Sequence, residues 1–157
     1  MSERTKTILK CIGIPLILGV LVGLLTRNAM NDFKLLEQPP LTPPDILFPI
    51  VWTILYTLMG ISCYLIKTSD ASKEEVADVL PIYFYQLVVN FLWPIFFFNL
   101  EWHLFSFIWL LLLWVLVARM IMKFYPLNKT AAYLNIPYLI WLTFAAYLNL
   151  GVWWLNR

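Results

Sequence analysis

Residues 46–66 read ILFPIVWTILYTLMGISCYLI, an apolar run without a single charged side chain. A helix needs about 20 predominantly apolar residues to cross the hydrocarbon core of a bilayer. Four more stretches have this length and character, at residues 7–26, 80–99, 103–122 and 130–155. The sequence therefore predicts an all-α integral membrane protein, with one domain over residues 1–157 formed by a bundle of five transmembrane helices.

The composition supports this class and excludes others. The chain is 62% hydrophobic and 13% charged, whereas a soluble domain carries about 25% charged residues. A net charge of +2 gives no reason to expect a nucleic acid as partner. His103 is the single histidine, which excludes a multi-histidine metal site, and no glycine-rich phosphate loop is present. Cys11 and Cys63 lie in apolar runs without CxxC spacing and are interpreted as small buried hydrophobes.

Lysine and arginine predict the orientation, because cytoplasmic loops are enriched in both. Eight of them fall on the side of the N-terminus and three on the opposite side. We expect the N-terminus to be cytoplasmic, and loop 27–45 and the C-terminus to be external.

The capping loop, residues 27–45, contains two proline pairs in EQPPLTPPD at 37–45. Prolines fix φ and disfavour helix in the residue before them, so an extended segment of low entropy is expected. Asp45 is predicted to be the N-cap of the second helix. The loop would then act as a preformed lid just above Trp52.

Three helices carry stripes of aromatic, amide and small residues at helical spacing. Such groups pack and hydrogen-bond between neighbouring helices, which explains each stripe taken singly. Taken together, the three stripes favour a second interpretation as much as packing. This is an aromatic cavity with a few polar anchors, which is the usual chemistry of a ligand site. The stripes are Trp52, Tyr56, Gly60 and Cys63; Gln86, Asn90, Trp93 and Phe97; and Tyr138, Trp141, Ala145 and Asn149.

Charged groups are absent from the middle of the second, third and fifth helices. This argues against an ion-coupled pump or proton relay, and also against catalysis by a carboxylate pair or a Ser-His-Asp triad.

Three ordered segments resemble motifs of one family: PPLTPPDILFPIVWTILYTLMGISCYLI, QLVVNFLWPIFFF and LNIPYLIWLTFAAYLNLGVWWLN. The chain resembles the TspO/MBR family, also called tryptophan-rich sensory protein or translocator protein (peripheral benzodiazepine receptor), over about residues 35–155. The resemblance implies a five-helix bundle, often a homodimer, with a pocket capped by the first loop. It also implies a bacterial cell membrane as the location.

The resemblance further implies the ligands and the function. Family ligands are porphyrins such as protoporphyrin IX, sterols in animal members and benzodiazepine-site drugs. We expect a receptor or sensor that needs no metal or other cofactor, with the porphyrin as ligand or substrate. Some members degrade protoporphyrin IX in light, for which Trp52 and Trp141 are the candidate catalytic residues. The alternative is a transporter of porphyrins or other small hydrophobic metabolites, although no inverted repeat supports it.

The family's pocket residues match Trp52, Tyr56, Asn90, Trp141 and Ala145. Leu41 stands where the family commonly has a tryptophan, so one pocket aromatic is missing. Arg27 or Lys34 of the capping loop could meet the ligand's propionates, and a solvated loop charge is the alternative for both. The predicted ligand-binding residues are Leu41, Pro44, Trp52, Tyr56, Gln86, Asn90, Trp93, Tyr138, Trp141, Ala145 and Asn149.

Overall fold

The computed structural model describes residues 2–157, which fold into helices joined by short connections. Five segments are long and apolar enough to cross a membrane, so the predicted all-α bundle of five such helices is confirmed. In chain order the helices are α1 (Glu3–Thr26), α2 (Ala29–Phe33), α3 (Leu47–Lys67), α4 (Lys73–Pro94, continued by a π-helical turn, Ile95–Asn99), α5 (His103–Phe124), α6 (Lys129–Tyr133) and α7 (Ile136–Leu155).

Helix α4 starts seven residues before the predicted boundary at residue 80, so the segment between the second and third predicted spans, residues 67–79, is helical from Lys73 onward. The cause is a capping box: Ser72 Oγ accepts from the Glu75 backbone N–H at 3.1 Å, and the Ser72 N–H donates to Glu75 Oε2 at 2.8 Å. Apolar content predicts only the part of a helix that lies in lipid. The polar first turns of α4 extend beyond that part, and Asp78 ties them to Lys123 of α5 at 3.0 Å.

The prediction that Asp45 caps the second helix is wrong. Ile46 occupies the N-cap position of α3, and no side chain bonds to the helix start. The Asp45 carboxylate instead forms an ion pair with Lys34 at 2.8 Å. The loop is also less extended than expected, because it contains α2 and turns sharply at Leu41, whose φ is 69°. A positive φ at this point, after Pro40, is a conformation that a leucine adopts only with strain.

Close backbone contact between α1 and α3 depends on Gly60. A Cβ atom built at Gly60 would lie 2.6 Å from Ile12 Cα and 2.8 Å from the Cys11 carbonyl oxygen. Only glycine allows the two helices to approach this closely. Cys11 and Cys63 beside this contact are buried and unpaired.

The last membrane-crossing segment is divided, because α6 ends at Tyr133 and α7 begins at Ile136. The fully buried Asn135 lies between them and donates to Ser62 Oγ at 2.7 Å and to the Ala131 carbonyl at 2.9 Å. Ser62 in turn donates to the same carbonyl at 2.8 Å. This cluster anchors the start of α7 to α3 and sets the side of α7 that faces the bundle interior.

Candidate functional site

A cavity of about 660 Å³ lies between α1, α3, the end of α4 and α7, beneath the capping loop. Its volume falls in the range of ligand pockets, roughly 300–1,000 Å³. Most of its surface is apolar or aromatic. The lining residues include Leu16, Gly19, Val22, Phe33, Phe48, Trp52, Tyr56, Trp93, Phe97, Trp141, Ala145 and Leu148.

The aromatic rings of the cavity wall contact one another in pairs. Trp52 lies 5.4 Å from the Tyr56 ring, and Phe48 meets Trp141 edge to face at 6.0 Å between centroids. Trp93 stacks on Phe97 at 5.4 Å. Such pairs stabilise the fold by about 0.5–1.5 kcal/mol each beyond the effect of their buried area. The wall is therefore formed before a ligand binds.

Tyr56 is positioned by a chain of buried hydrogen bonds behind the wall. Its hydroxyl donates to Asn90 Oδ1 at 2.6 Å, and Asn90 Nδ2 donates to the Tyr138 hydroxyl at 2.5 Å. Tyr138 then donates to Gln86 Oε1 at 2.9 Å. The hydrogen bonds run in one direction, from Tyr56 through Asn90 and Tyr138 to Gln86. These side chains therefore supply one another's partners and hold α3, α4 and α7 together.

Asn149 plays the same part for Trp93. Its Oδ1 accepts from Trp93 Nε1 at 3.0 Å, and its Nδ2 donates to the His103 carbonyl at 2.7 Å. Asn149 lines the cavity, yet its amide is already engaged within the protein. Its role in the structure is to fix an indole.

The charges at the cavity lie at its outer rim. Among the lining residues only Lys34 and Asp45 are charged, and they pair with each other at 2.8 Å. Gln38 lies beside them, with its Nε2 donating to the Phe33 carbonyl at 3.0 Å. Its Oε1 is buried and has no partner among residues 2–157. The rim thus carries one ion pair, Lys34 with Asp45, whose side chains are about half exposed.

The capping loop contacts the C-terminal half of α7 at three positions. The Tyr147 hydroxyl donates to the Pro40 carbonyl at 2.7 Å. Pro39 fills the space above Gly151, where a Cβ would lie 2.6 Å from the proline ring. Asn156 accepts from the Glu37 N–H and donates to the Glu37 carbonyl, both at 2.9 Å. This fastening holds the lid in place over the cavity.

The structure divides the predicted ligand-binding residues into three groups. Trp52, Tyr56, Trp93, Trp141, Ala145 and Asn149 line the cavity. Gln86, Asn90 and Tyr138 lie behind it and are buried. Leu41 is 80% exposed, Pro44 is also exposed, and neither contributes to the cavity surface.

Sequence reasoning missed the wall supplied by α1 and most of the lid residues that face the cavity. Gly19 could have indicated the part of the wall that α1 supplies, because a glycine within an apolar helix is typical of close packing. In the structure, a Cβ atom at Gly19 would lie 2.7 Å from the Tyr56 ring. Of the two loop cations considered for the ligand's carboxylates, Lys34 lines the cavity and Arg27 does not. Within residues 2–157, no group of three His, Cys, Asp or Glu side chains could hold a metal ion.

Comparison with known proteins gives a consistent match. Residues 11–155 match the TspO/MBR family. The chain is 33% identical to "Tryptophan-rich protein TspO" of Chlorobaculum tepidum, with 99% of both chains covered. It is 37% identical to "Protein CrtK" of Rhodobacter capsulatus, over 77% of this chain and 76% of the relative. It is 38% identical to "Translocator protein" of Ovis aries, over 78% of this chain and 73% of the relative.

Proposed function

This chain belongs to the TspO/MBR family of integral membrane proteins, and we propose that it is a receptor that binds a tetrapyrrole such as protoporphyrin IX. The observation that carries the proposal is the cavity of about 660 Å³ whose wall is built from Trp52, Tyr56, Trp93 and Trp141. A porphyrin is a broad, flat, apolar ring, and indole and phenol rings supply stacking area for it at small entropic cost. Benzodiazepine-site ligands, which are also apolar and aromatic, are expected to contact the same wall.

The proposal also accounts for the ion pair at the rim. The two partners, Lys34 and Asp45, are about half exposed, with side-chain exposures of 50% and 60%. An exposed pair contributes at most about 1 kcal/mol, so a ligand carboxylate can replace Asp45 as the partner of Lys34. A porphyrin with its ring between the tryptophans and a propionate at Lys34 would satisfy both parts of the site.

The orientation of the receptor follows from the distribution of its cations. Eight lysines and arginines flank one side of the helices and three flank the other. The proposed orientation has a cytoplasmic N-terminus, with the capping loop and the cavity rim toward the outside of a bacterial cell membrane. The receptor would therefore take its ligand from the outer leaflet or the external medium.

Titration with protoporphyrin IX tests the proposal through quenching of intrinsic tryptophan fluorescence in purified, lipid-reconstituted protein. We expect saturable quenching, with an affinity reduced about tenfold in Trp52→Phe because the larger stacking surface is lost. Trp102→Phe is the matched control, since Trp102 is 54% exposed and does not line the cavity. Quenching that never saturates, or equal affinities in all three proteins, would exclude this site as the receptor pocket.

A second candidate function is light- and oxygen-dependent degradation of the bound porphyrin. One observation favours it: Trp52 and Trp141 line the cavity, and their indole N–H groups have no hydrogen-bond acceptor among the described residues. Two oxidisable indoles would then lie against a ligand that absorbs light and generates reactive oxygen. Neither a metal nor a catalytic carboxylate is needed for this chemistry.

A further inference from the structure

A second apolar concavity, here called the seam groove, lies between α3 and α7 on the outside of the bundle. Its volume is about 570 Å³, and it is lined by Val51, Ile54, Ile140, Trp141 and Phe144 among other apolar residues. Ile54 is 54% exposed and Ile140 is 66% exposed. Both residues belong to membrane-crossing segments, so the groove faces the hydrocarbon of the bilayer.

Trp141 is the one residue that lines both the seam groove and the inner cavity. Its indole therefore separates the seam groove from the cavity on this side of the bundle. The partition is held on the α3 side by an aromatic contact, Phe48 against Trp141 at 6.0 Å. By contrast, the indole N–H groups of Trp93, Trp109 and Trp114 each donate a hydrogen bond, whereas that of Trp141 has no acceptor among residues 2–157.

The helices on either side of this partition are not closely packed. The extensive helix contacts join α1 to α3, α4 to α5 and α5 to α7, and α3 with α7 is not among them. Aromatic side chains close the seam instead, with Trp52 and Tyr138 meeting edge to face at 6.1 Å below Trp141. Rotation of one side chain is a smaller and faster motion than the separation of packed helices.

The route between the capping loop and α7 is closed by several contacts. The capping loop is bonded to α7 through Tyr147 and Asn156, and Pro39 lies directly on Gly151. Opening the lid would break these bonds and expose apolar surface to water. A hydrophobic ligand is also concentrated in the bilayer, where the seam groove is exposed.

We propose that the seam groove is the membrane-side access site of the receptor. A flat apolar ligand dissolved in the bilayer binds first between Ile54 and Ile140, and then passes into the cavity when the Trp141 indole rotates. The inference rests on the proposed function, since it assigns a route to the same ligand. It makes Trp141 a gate as well as part of the cavity wall.

Stopped-flow quenching by protoporphyrin IX, with the full chain in phosphatidylcholine nanodiscs, tests the route separately from binding. Ile54→Phe/Ile140→Phe fills the groove without touching the cavity, and Ile108→Phe on α5 is the matched control, with Ile108 59% exposed. We expect the association and dissociation rates of the double variant to fall together by about fivefold or more, with Kd within about twofold, because a gate changes rates and not end states. The control should match the unsubstituted protein.

Two further variants make the result decisive. Ile140→Phe alone should lower the association and dissociation rates by a smaller factor. This single variant replaces the double variant in the test if circular dichroism shows that the double variant does not fold. Tyr147→Phe loosens the lid and should leave the association rate unchanged. Unchanged rates in the groove variants, with saturable binding retained, would show that the groove only holds lipid chains. Faster association in Tyr147→Phe would assign the route to the lid. Absence of saturable binding in the unsubstituted protein would overturn the receptor proposal and this route with it.

Discussion

The Tyr56 hydroxyl lies 2.6 Å from Asn90 Oδ1, and this hydrogen bond joins α3 to α4 directly behind the cavity wall. Asn90 Nδ2 also donates a hydrogen bond to the Tyr138 hydroxyl of α7. A single asparagine thus links three of the membrane-crossing segments. The position of the Tyr56 ring in the cavity depends on this link.

Asn90→Ala is expected to destabilise the protein more than Tyr56→Phe. The tyrosine variant loses one hydrogen bond, which inside a membrane protein costs about 0.6 kcal/mol on average, and it leaves the buried Asn90 Oδ1 without a donor. The asparagine variant loses two bonds and leaves a buried tyrosine hydroxyl without an acceptor, at about 1–3 kcal/mol. Thermal unfolding in detergent measures both, with Tyr85→Phe as control because Tyr85 is 65% exposed. Equal losses in the two variants would show that the chain of bonds is not connected through Asn90.

Gly60→Ala is expected to destabilise the packing of α1 against α3. The new Cβ would lie 2.6 Å from Ile12 Cα, and backbone atoms cannot move aside as a side-chain end can. Overpacking of this kind costs about 1–3 kcal/mol. Gly13→Ala in α1 is the matched control, since a Cβ there meets nothing within 4 Å and should be neutral or slightly stabilising. Chemical denaturation compares the two. A neutral Gly60→Ala would mean that the helices can separate without cost.

The sequence predicted the parts of this structure that follow from hydrophobic length and helical period. The five segments were evident, and the stripes placed Trp52, Trp141 and Asn149 on inward faces, as found. The first turns of α4 were missed because their helix depends on a capping box rather than on apolar content. A stripe also does not tell whether a polar residue faces a cavity or lies behind it. Asn90 lies behind the cavity wall, because its amide oxygen accepts from Tyr56 and its amide nitrogen donates to Tyr138.

Loop conformation was the least predictable feature. Proline restricts φ, but the turn at Leu41 and the pairing of Lys34 with Asp45 depend on contacts with distant residues. Gly151 could have indicated a close approach within an apolar helix, yet no local pattern identifies Pro39 as its partner. The spacing of residues along the sequence therefore does not predict contacts between the capping loop and a distant helix.

Asn156→Asp is expected to loosen the capping loop from α7. The aspartate keeps an oxygen that accepts from the Glu37 N–H but loses the amide that donates to the Glu37 carbonyl at 2.9 Å. Trypsin cleavage after Lys34, an exposed lysine of this loop, should accelerate several-fold because cleavage follows the population of the opened loop. Tyr85→Phe, distant from the loop in sequence and without a hydrogen bond to it, should be cleaved at the original rate. The same rate in Asn156→Asp would show that Tyr147 and Gly151 alone hold the lid.

Lys34→Ala is expected to weaken protoporphyrin IX binding about two- to fivefold, because an exposed charge pair contributes up to roughly 1 kcal/mol. The dimethyl ester of the same porphyrin lacks the carboxylates, so its affinity should not change. Arg27→Ala is the matched control, since Arg27 is exposed and does not line the cavity. Fluorescence titration at two salt concentrations measures these affinities. An equal loss for acid and ester would assign the effect of Lys34 to the loop's shape rather than to its charge.

Light-dependent loss of bound porphyrin is expected to slow in Trp52→Phe and in Trp141→Phe. Phenylalanine preserves an aromatic ring in the cavity wall but is much harder to oxidise than indole, so a reaction that passes through the indoles should be impaired. The complexes are loaded to saturation in the dark, so that changes in access or affinity do not enter. They are then illuminated in air, and the porphyrin absorbance is followed. Trp102→Phe serves as control because Trp102 lies outside the cavity. Equal bleaching in all four proteins, or in free porphyrin at the same concentration, would leave binding as the sole role of the site.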